Sequence, residues 1–179
     1  MVKKTKNNFQ GQAQAYREAG YWPRPITIGT KACHLNNWQK PDPKWADSTV
    51  SGWQAKYATA GTGLLLESPL PDGTLLGVLD IDHDDYVRVA SVLLGSPPCG
   101  RIGSKGIAYF VRVKGSGKYR QFKTKPVDGS ESIVVGELLC SKRLCVIPPT
   151  IHPETNQPYR WAGKSLLETP YTELPIIEV

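Results

Sequence analysis

An apolar run that ends in alternating acidic residues constrains the fold of this chain most. Leu75 to Leu79 are apolar residues or glycine, and Asp80 and Asp82 follow with Ile81 between them. Because side chains alternate along a strand, the two aspartates leave one face together while Ile81 points into the core. Two neighbouring negative charges repel unless a proton or a cation lies between them. The pattern predicts a strand that ends at a site for a hard divalent ion, Mg²⁺ or Mn²⁺, which prefers oxygen ligands.

Helix capping is the alternative role for this acidic cluster. Asp84 or Asp85 is expected to cap a helix over about 84–94. Capping does not account for Asp80 and Asp82, because both belong to the apolar strand pattern. The metal site is therefore the preferred interpretation.

The composition fits a folded protein of one domain. The chain has 179 residues, of which 40% are apolar and five are Trp. No apolar run approaches membrane-spanning length, and no apolar stretch follows the basic residues 1–6, so neither a membrane span nor a signal peptide is expected. The four cysteines form no Cys-x-x-Cys pair and are expected to be buried thiols in a reducing cytoplasm, a zinc site with His34 being the alternative.

The positive charge is concentrated in one segment. The formal net charge is +6, and residues 101–125 contain eight basic residues and no acidic one. Solvated lysines are the usual explanation for such a run. Next to a carboxylate cluster, the segment indicates a polyphosphate or nucleic-acid partner.

The order of the elements is typical of an α+β fold with a mainly antiparallel sheet. Helices are expected over 8–18, 49–58 and 84–94. Strands are expected over 63–67, 74–82, 107–113, 119–122, 133–139 and 143–147. The first two strands are predicted to form a hairpin, as are the last two. Residues 23–38 are expected to be irregular, with a short extended piece at 26–28.

A third carboxylate stands alone among apolar residues. Glu137 lies in the expected strand 133–139, and a buried acid needs a partner. Together with Asp80 and Asp82 it would complete a site that activates an attacking hydroxyl and stabilises a leaving pyrophosphate. An ordinary salt bridge to Arg101 or Arg143 is the alternative.

Two further segments carry candidate phosphate ligands. The turn at 101–106 combines Arg101, Ser104 and Lys105 with exposed backbone amides, which suits triphosphate oxygens. The proline-rich loop at 148–161 is rigid and suits an active-site wall that holds His152 and Arg160. A common surface turn and a purely structural loop are the respective alternatives.

The N-terminal segment offers candidate contacts to DNA. Arg24 and Lys31 are expected to bind backbone phosphates, and Trp38 or Trp22 is expected to stack on a base. Burial of both Trp side chains in the core is the alternative.

Four of these segments together resemble the bifunctional DNA primase/polymerase (prim-pol) domain of the archaeo-eukaryotic primase superfamily. They follow the family's order over nearly the whole chain: Gly29 to Trp38, Asp80 to Asp82, the strand of Glu137, and Pro148 to Trp161. The resemblance implies a catalytic core related to the RNA-recognition fold over about 71–179, beside an N-terminal α/β module over about 1–70. Such domains occur in phage and plasmid replication proteins, often ahead of a helicase.

The resemblance also implies roles for individual residues. Asp80, Asp82 and Glu137 would bind Mg²⁺ or Mn²⁺. The nucleoside triphosphate would be bound by the turn at 101–105, with help from His152. The DNA template would follow the basic residues of the later strands, which are Arg112, Lys114, Lys118 and Arg120.

One departure from the family concerns its second motif, which usually reads Ser-x-His. Here Ser104 is followed by Lys105 and Gly106, and Ala108 stands where a shifted alignment places the His. Arg101 and Lys105 are expected to replace that His, since a cation meets the same electrostatic need. The preferred function is a template-directed nucleotidyltransferase. The alternatives are a primase-like module that binds single-stranded DNA or nucleotide without catalysis, and a metal-dependent nuclease.

Overall fold

The computed structural model describes residues 8–39, 47–126, 129 and 131–179, so the N-terminal residues 1–6 lie outside the described ones. The described residues form helices and two mainly antiparallel sheets, which confirms the expected α+β class. The helices are α1 (Phe9–Glu18), α2 (Asp47–Lys56), α3 (Asp84–Leu93) and a 3₁₀ turn (Tyr171–Glu173). The strands are β1 (Trp22–Ile26), β2 (Gly61–Leu65), β3 (Leu75–Ile81), β4 (Cys99–Ile102), β5 (Ile107–Lys114), β6 (Arg120–Lys123), β7 (Val134–Leu139), β8 (Leu144–Ile147), β9 (Arg160–Gly163) and β10 (Ile176–Glu178).

The strands divide between a small and a large sheet. The small sheet has the order β1-β2-β8, and the large one has the order β6-β7-β3-β5-β4-β9. Strand β10 pairs in parallel with residues 112–114 of β5. Strand β4 pairs with β5 at residues 108 and 109, nearer the start of β5. Strand β8, from the second half of the chain, thus completes the sheet that begins near the N-terminus.

The two sheets pack against each other through one face of the large sheet. Leu64 and Ile147 of the small sheet share a buried cluster with Val78 and Phe110 of the large one. Alternation along β3 points Asp80 to the same side as Val78, towards the small sheet. The apolar contacts of this interface therefore end at an acidic side chain.

The opposite face of the large sheet is covered by α3. Leu79, Ile81 and Ala90 belong to the buried cluster on this side. On this helix Val92 is 70% and Leu93 is 81% exposed. No helix among the described residues is long and apolar enough to cross a membrane.

The second predicted hairpin is wrong, and the first is confirmed only at its turn, where Pro69 bridges Leu75 and Leu70 N donates to Thr74 O. Strands β2 and β3 belong to different sheets, and so do β7 and β8. The chain passes between the sheets at two adjacent places, where Leu66 N donates to Arg143 O and Ser141 Oγ donates to Glu67 Oε1. Each of these strands pairs with strands that are distant in sequence, and local turn signals do not predict such pairing.

The segment expected to be irregular begins with strand β1. Pro23 and Pro25 weaken the strand pattern because proline donates no backbone hydrogen bond. Strand β1 is at the edge of the small sheet with β2 as its neighbour, so the missing donors are tolerated there. The predicted extended piece at 26–28 is wrong beyond Ile26, because Thr27 and Ile28 leave the strand for a turn.

Candidate active site

Three charged residues and one alanine, from four neighbouring strands, lie in one row across the large sheet. The register places Glu137 opposite Asp80, Asp80 opposite Ala108, and Ala108 opposite Arg101. Directly paired residues share a face, so all four side chains leave the side that faces the small sheet. Because Ala108 carries only a methyl group, it leaves space between the Asp80 carboxylate and the Arg101 guanidinium.

A cavity of about 310 Å³ lies at this end of the interface between the sheets. Its polar lining combines acidic, basic and neutral groups: Asp80, Asp82, Glu154, Lys31, Arg101, Lys105, Ser104, His152 and Tyr159. Its apolar lining consists of Leu139, Leu144, Cys145 and Val146. A polar cavity with charges of both signs suits a ligand that carries negative charge together with a cation.

Asp80 is the carboxylate most strongly affected by this environment. Burial raises the pKa of Asp80 above its ordinary value. The charge of Arg101 opposes this rise, while those of Asp82 and Glu137 add to it. A raised pKa means that the negative charge at this position lacks full compensation, which a bound cation would supply.

Arg101 carries an unsatisfied donor beside the cavity. Its guanidinium lies 4.8 Å from the centre of the Tyr159 ring, and its Nη2 makes a weak contact of 4.0 Å with Cys145 Sγ. Its Nε is buried and has no hydrogen-bond partner among the residues that the structure describes. A buried donor without a partner is unfavourable, and the Arg101 guanidinium adds positive charge to the lining of the cavity.

The turn between β4 and β5 is fixed against the end of β3. Gly106 N donates to Asp84 Oδ1 at 2.7 Å. Gly106 has a φ of +58°, and a Cβ there would lie 1.7 Å from Ile81 O, so only glycine fits. The turn thereby brings Ser104 and Lys105 to the cavity.

The prediction that Asp84 or Asp85 caps α3 is wrong. His83 is the N-cap residue, and no side-chain hydrogen bond caps the helix. Asp84 and Asp85 lie in its first turn, where negative charge is favourable. Asp84 instead binds the amide of Gly106, a contact between residues 22 positions apart that the sequence does not reveal.

His152 is held as a neutral hydrogen-bond donor at the cavity wall. Its side chain is 3% exposed, and its Nδ1 accepts from the backbone amides of Glu154 and Thr155 at 3.2 and 3.3 Å. These contacts place the remaining proton on Nε2. Burial lowers the pKa of His152, and the charge of Lys31 lowers it further. Lys31 also pairs with Glu154 at 3.6 Å, which connects the two loops of the wall.

Glu137 adjoins the cavity without lining it. Its Oε1 accepts hydrogen bonds from Tyr119 Oη and from Gln121 Nε2, the latter at 3.0 Å. Within residues 8–39, 47–126, 129 and 131–179, no three His, Cys, Asp or Glu side chains are arranged to hold a metal ion. Glu137 lies next to Asp80 in the register of the sheet. Its role as a metal ligand stays a prediction. The carboxylate chemistry of the three residues fits a hard divalent ion.

Three of the predicted contacts are wrong because the side chains point elsewhere. Arg24 is 1% exposed, and its Nε donates to Trp38 O, so it cannot reach DNA. Arg160 is paired with Ile102, which places it on the face of the sheet opposite to Arg101 and away from the cavity. Arg112 donates to Leu174 O and Thr172 O and forms an ion pair with Asp72 at 2.8 Å.

The remaining predicted DNA contacts differ in their surroundings. Trp38 is partly buried and packs against the cluster of Ile26 and Tyr159, which favours the structural alternative. Lys114 is exposed but pairs with Glu178 at 2.8 Å. Lys118 and Arg120 are exposed beside β7, where they adjoin the strand of Glu137 and stay predictions.

Comparison with known proteins identifies a family for nearly the whole chain. The model of the family described as bifunctional DNA primase/polymerase, N-terminal, matches residues 13–176 of the 179. A search of curated proteins finds no match. The match includes every residue that lines the cavity and the row of charged side chains.

Proposed function

Because the chain belongs to the family of bifunctional DNA primase/polymerase N-terminal domains, we propose that it is a template-directed nucleotidyltransferase that joins nucleoside triphosphates on DNA. One observation carries the proposal. Asp80 and Arg101 lie in one row of the sheet, face the same cavity and are separated only by the small Ala108. Such a site offers a carboxylate for a cation next to a cation for a phosphate.

The carboxylates form the metal-binding side of the proposed site. Asp80 and Asp82 would hold Mg²⁺ or Mn²⁺, with Glu137 as the third ligand from the neighbouring strand. When bound, the ion lowers the pKa of the attacking hydroxyl and neutralises charge on the departing pyrophosphate. Family membership supports this requirement, because these domains are generally dependent on divalent metal.

The basic residues form the phosphate-binding side. Arg101 would donate from its guanidinium to a phosphate oxygen, and the side chains of Ser104 and Lys105 would bind the same triphosphate. His152 would donate from Nε2, since its Nδ1 is occupied by backbone amides. Arg101 thus supplies, next to Ala108, the phosphate contact that the family's second motif usually takes from His.

Incorporation of labelled nucleotide into a primed DNA template tests the proposal. The unaltered protein with Mn²⁺ should lengthen the primer, and Asp80→Asn should abolish extension while it keeps the fold, as measured by circular dichroism. Asp85→Asn is the matched control, because Asp85 is an exposed acid of the same segment that does not line the cavity. Extension by Asp80→Asn at the unaltered rate would refute the metal assignment.

A binding module without catalysis is the second candidate. The observations that favour it are Ala108 in place of the motif His and the absence of an assembled three-ligand cluster among the described residues. The same assay separates the two functions. A binding module would shift labelled single-stranded DNA in a gel and leave the primer at its original length with either metal.

A further inference from the structure

We propose that Tyr119 and Gln121 are positioning residues, which orient the carboxylate of Glu137 towards the divalent ion. The inference rests on the proposed function, since it concerns the third ligand of the proposed metal site. Neither Tyr119 nor Gln121 lines the cavity, and neither belongs to the acidic pattern of the sequence.

The register of β6 brings both residues to Glu137. Gln121 is paired directly with Glu137, so the row Arg101–Ala108–Asp80–Glu137 continues onto β6. Tyr119 lies two positions before Gln121 and therefore projects from the same face. One donor on the edge strand and one just before it thus meet a single carboxylate of the adjacent strand.

Both donors bind the same oxygen. Tyr119 Oη and Gln121 Nε2 donate to Glu137 Oε1, and no described residue donates a hydrogen bond to Oε2. A ligating carboxylate commonly has one oxygen held by protein donors while the other faces the metal. The arrangement leaves Oε2 available for a cation that Asp80, the next residue in the row, would share.

Tyr119 is itself held in place. The Arg143 guanidinium lies 4.8 Å from the centre of its ring, which restricts the ring of a side chain that is 39% exposed. A rigid donor fixes the carboxylate more effectively than water does, because water must first be ordered.

The test measures Mn²⁺ affinity directly, from the electron paramagnetic resonance signal of free Mn²⁺ titrated with the full chain. Tyr119→Phe and Gln121→Met each remove one donor and keep the size of the side chain. Loss of such supporting contacts typically weakens metal binding or activity about 10- to 100-fold, which is expected for the double variant. The Mn²⁺ concentration for half-maximal primer extension should rise in parallel, while the KM for nucleotide stays nearly constant.

The matched control is Gln14→Met. Gln14 Nε2 donates to Glu18 Oε1 at 3.0 Å on α1, so this variant removes a Gln–Glu hydrogen bond that lies away from the cavity. Mn²⁺ affinity of the control should equal that of the unaltered protein. A loss of affinity in the control would show that any such hydrogen bond has the same effect, and this would overturn the proposal.

Two other outcomes would overturn the positioning role. Unchanged Mn²⁺ affinity in the double variant would show that Glu137 needs no support from β6. Tighter binding would show that Tyr119 and Gln121 hold Glu137 away from the ion. Asp80→Asn is titrated alongside: if it loses Mn²⁺ while the double variant does not, only the positioning role fails. If neither variant loses Mn²⁺, the metal site of the proposed function fails as well.

Discussion

Individual side chains give the cavity its two kinds of binding group. Asp80 and Asp82 are visible in the sequence because charges inside an apolar strand pattern have no structural explanation. Arg101 was also a sequence candidate, but its free Nε and its contact with Tyr159 follow only from the fold. Arg160 looked equivalent in sequence and lies on the opposite face of the sheet.

Arg101 provides the sharpest prediction at this scale. Arg101→Lys keeps the positive charge and loses the planar group that stacks on Tyr159 and offers several donors. We expect nucleotide affinity to fall about 10- to 100-fold, which corresponds to a charged hydrogen bond of about 1.5 to 3 kcal/mol. Isothermal titration with a non-hydrolysable triphosphate measures the effect.

Arg160→Lys is the matched control for this prediction. It makes the same exchange on β9, one position away from the residue paired with Arg101. Its nucleotide affinity should be unchanged. An equal loss in both variants would contradict the assignment of Arg101 as the phosphate ligand.

Among the secondary-structure elements, the turn from β4 to β5 best shows what the sequence could not predict. Its composition predicted a phosphate-binding turn, and the structure places Ser104 and Lys105 at the cavity. The sequence does not reveal that Asp84 holds this turn, because Asp84 and Gly106 come together only when β3 and β5 pair. The predicted pairing of β2 with β3 and of β7 with β8 failed for the same reason, because pairing between distant strands decides the contacts and local patterns do not indicate it.

The contact between Asp84 and Gly106 predicts a change in affinity. Asp84→Ala removes the acceptor that holds the turn, so Ser104 and Lys105 should become less well placed for the nucleotide. The KM for nucleotide should rise about 2- to 10-fold, the equivalent of one net hydrogen bond, with a smaller change in kcat. Asp85→Ala removes the neighbouring exposed acid and should leave KM unchanged. A similar rise in both variants would attribute the effect to general loss of negative charge.

On the scale of the whole molecule, the basic segment divides into structural and surface residues. Arg112 connects the turn at 71–73 with the C-terminal segment through Asp72 and Leu174. Lys118 and Arg120 remain exposed beside the strand of Glu137. Charge density in the sequence therefore indicated an anionic partner but could not distinguish which cations were already paired within the fold.

This division predicts opposite effects for two substitutions. Arg112→Ala should lower the free energy of unfolding by about 1 to 2 kcal/mol and leave DNA affinity unchanged. Arg120→Ala should weaken single-stranded DNA binding, reduce its salt dependence and leave stability unchanged. Thermal unfolding and fluorescence anisotropy measure the two effects. Weaker DNA binding in Arg112→Ala without loss of stability would contradict the structural role of Arg112.

The contacts of Asp72 with Thr74 and Arg112 predict a pH dependence of stability. Hydrogen bonds from Thr74 and then Arg112 lower the pKa of Asp72 from 3.8 to about 2. A carboxyl with a lowered pKa stabilises the folded state above about pH 4, and the contribution disappears as the pH falls through about 2. In Asp72→Asn, the free energy of unfolding should no longer show this part of its dependence on low pH. An unchanged acid profile would show that the contacts of Asp72 with Thr74 and Arg112 do not contribute.

The position of a metal ion in crystals soaked with Mn²⁺ and a non-hydrolysable nucleoside triphosphate would show directly whether Asp80, Asp82 and Glu137 share a divalent cation. We expect an anomalous peak about 2.1 Å from carboxylate oxygens of Asp80 and Asp82, with a Glu137 oxygen as a further ligand. We also expect triphosphate oxygens at Arg101 and Lys105. A triphosphate bound in the cavity with no Mn²⁺ at Asp80 and Asp82, or Mn²⁺ bound only elsewhere, would contradict the metal assignment.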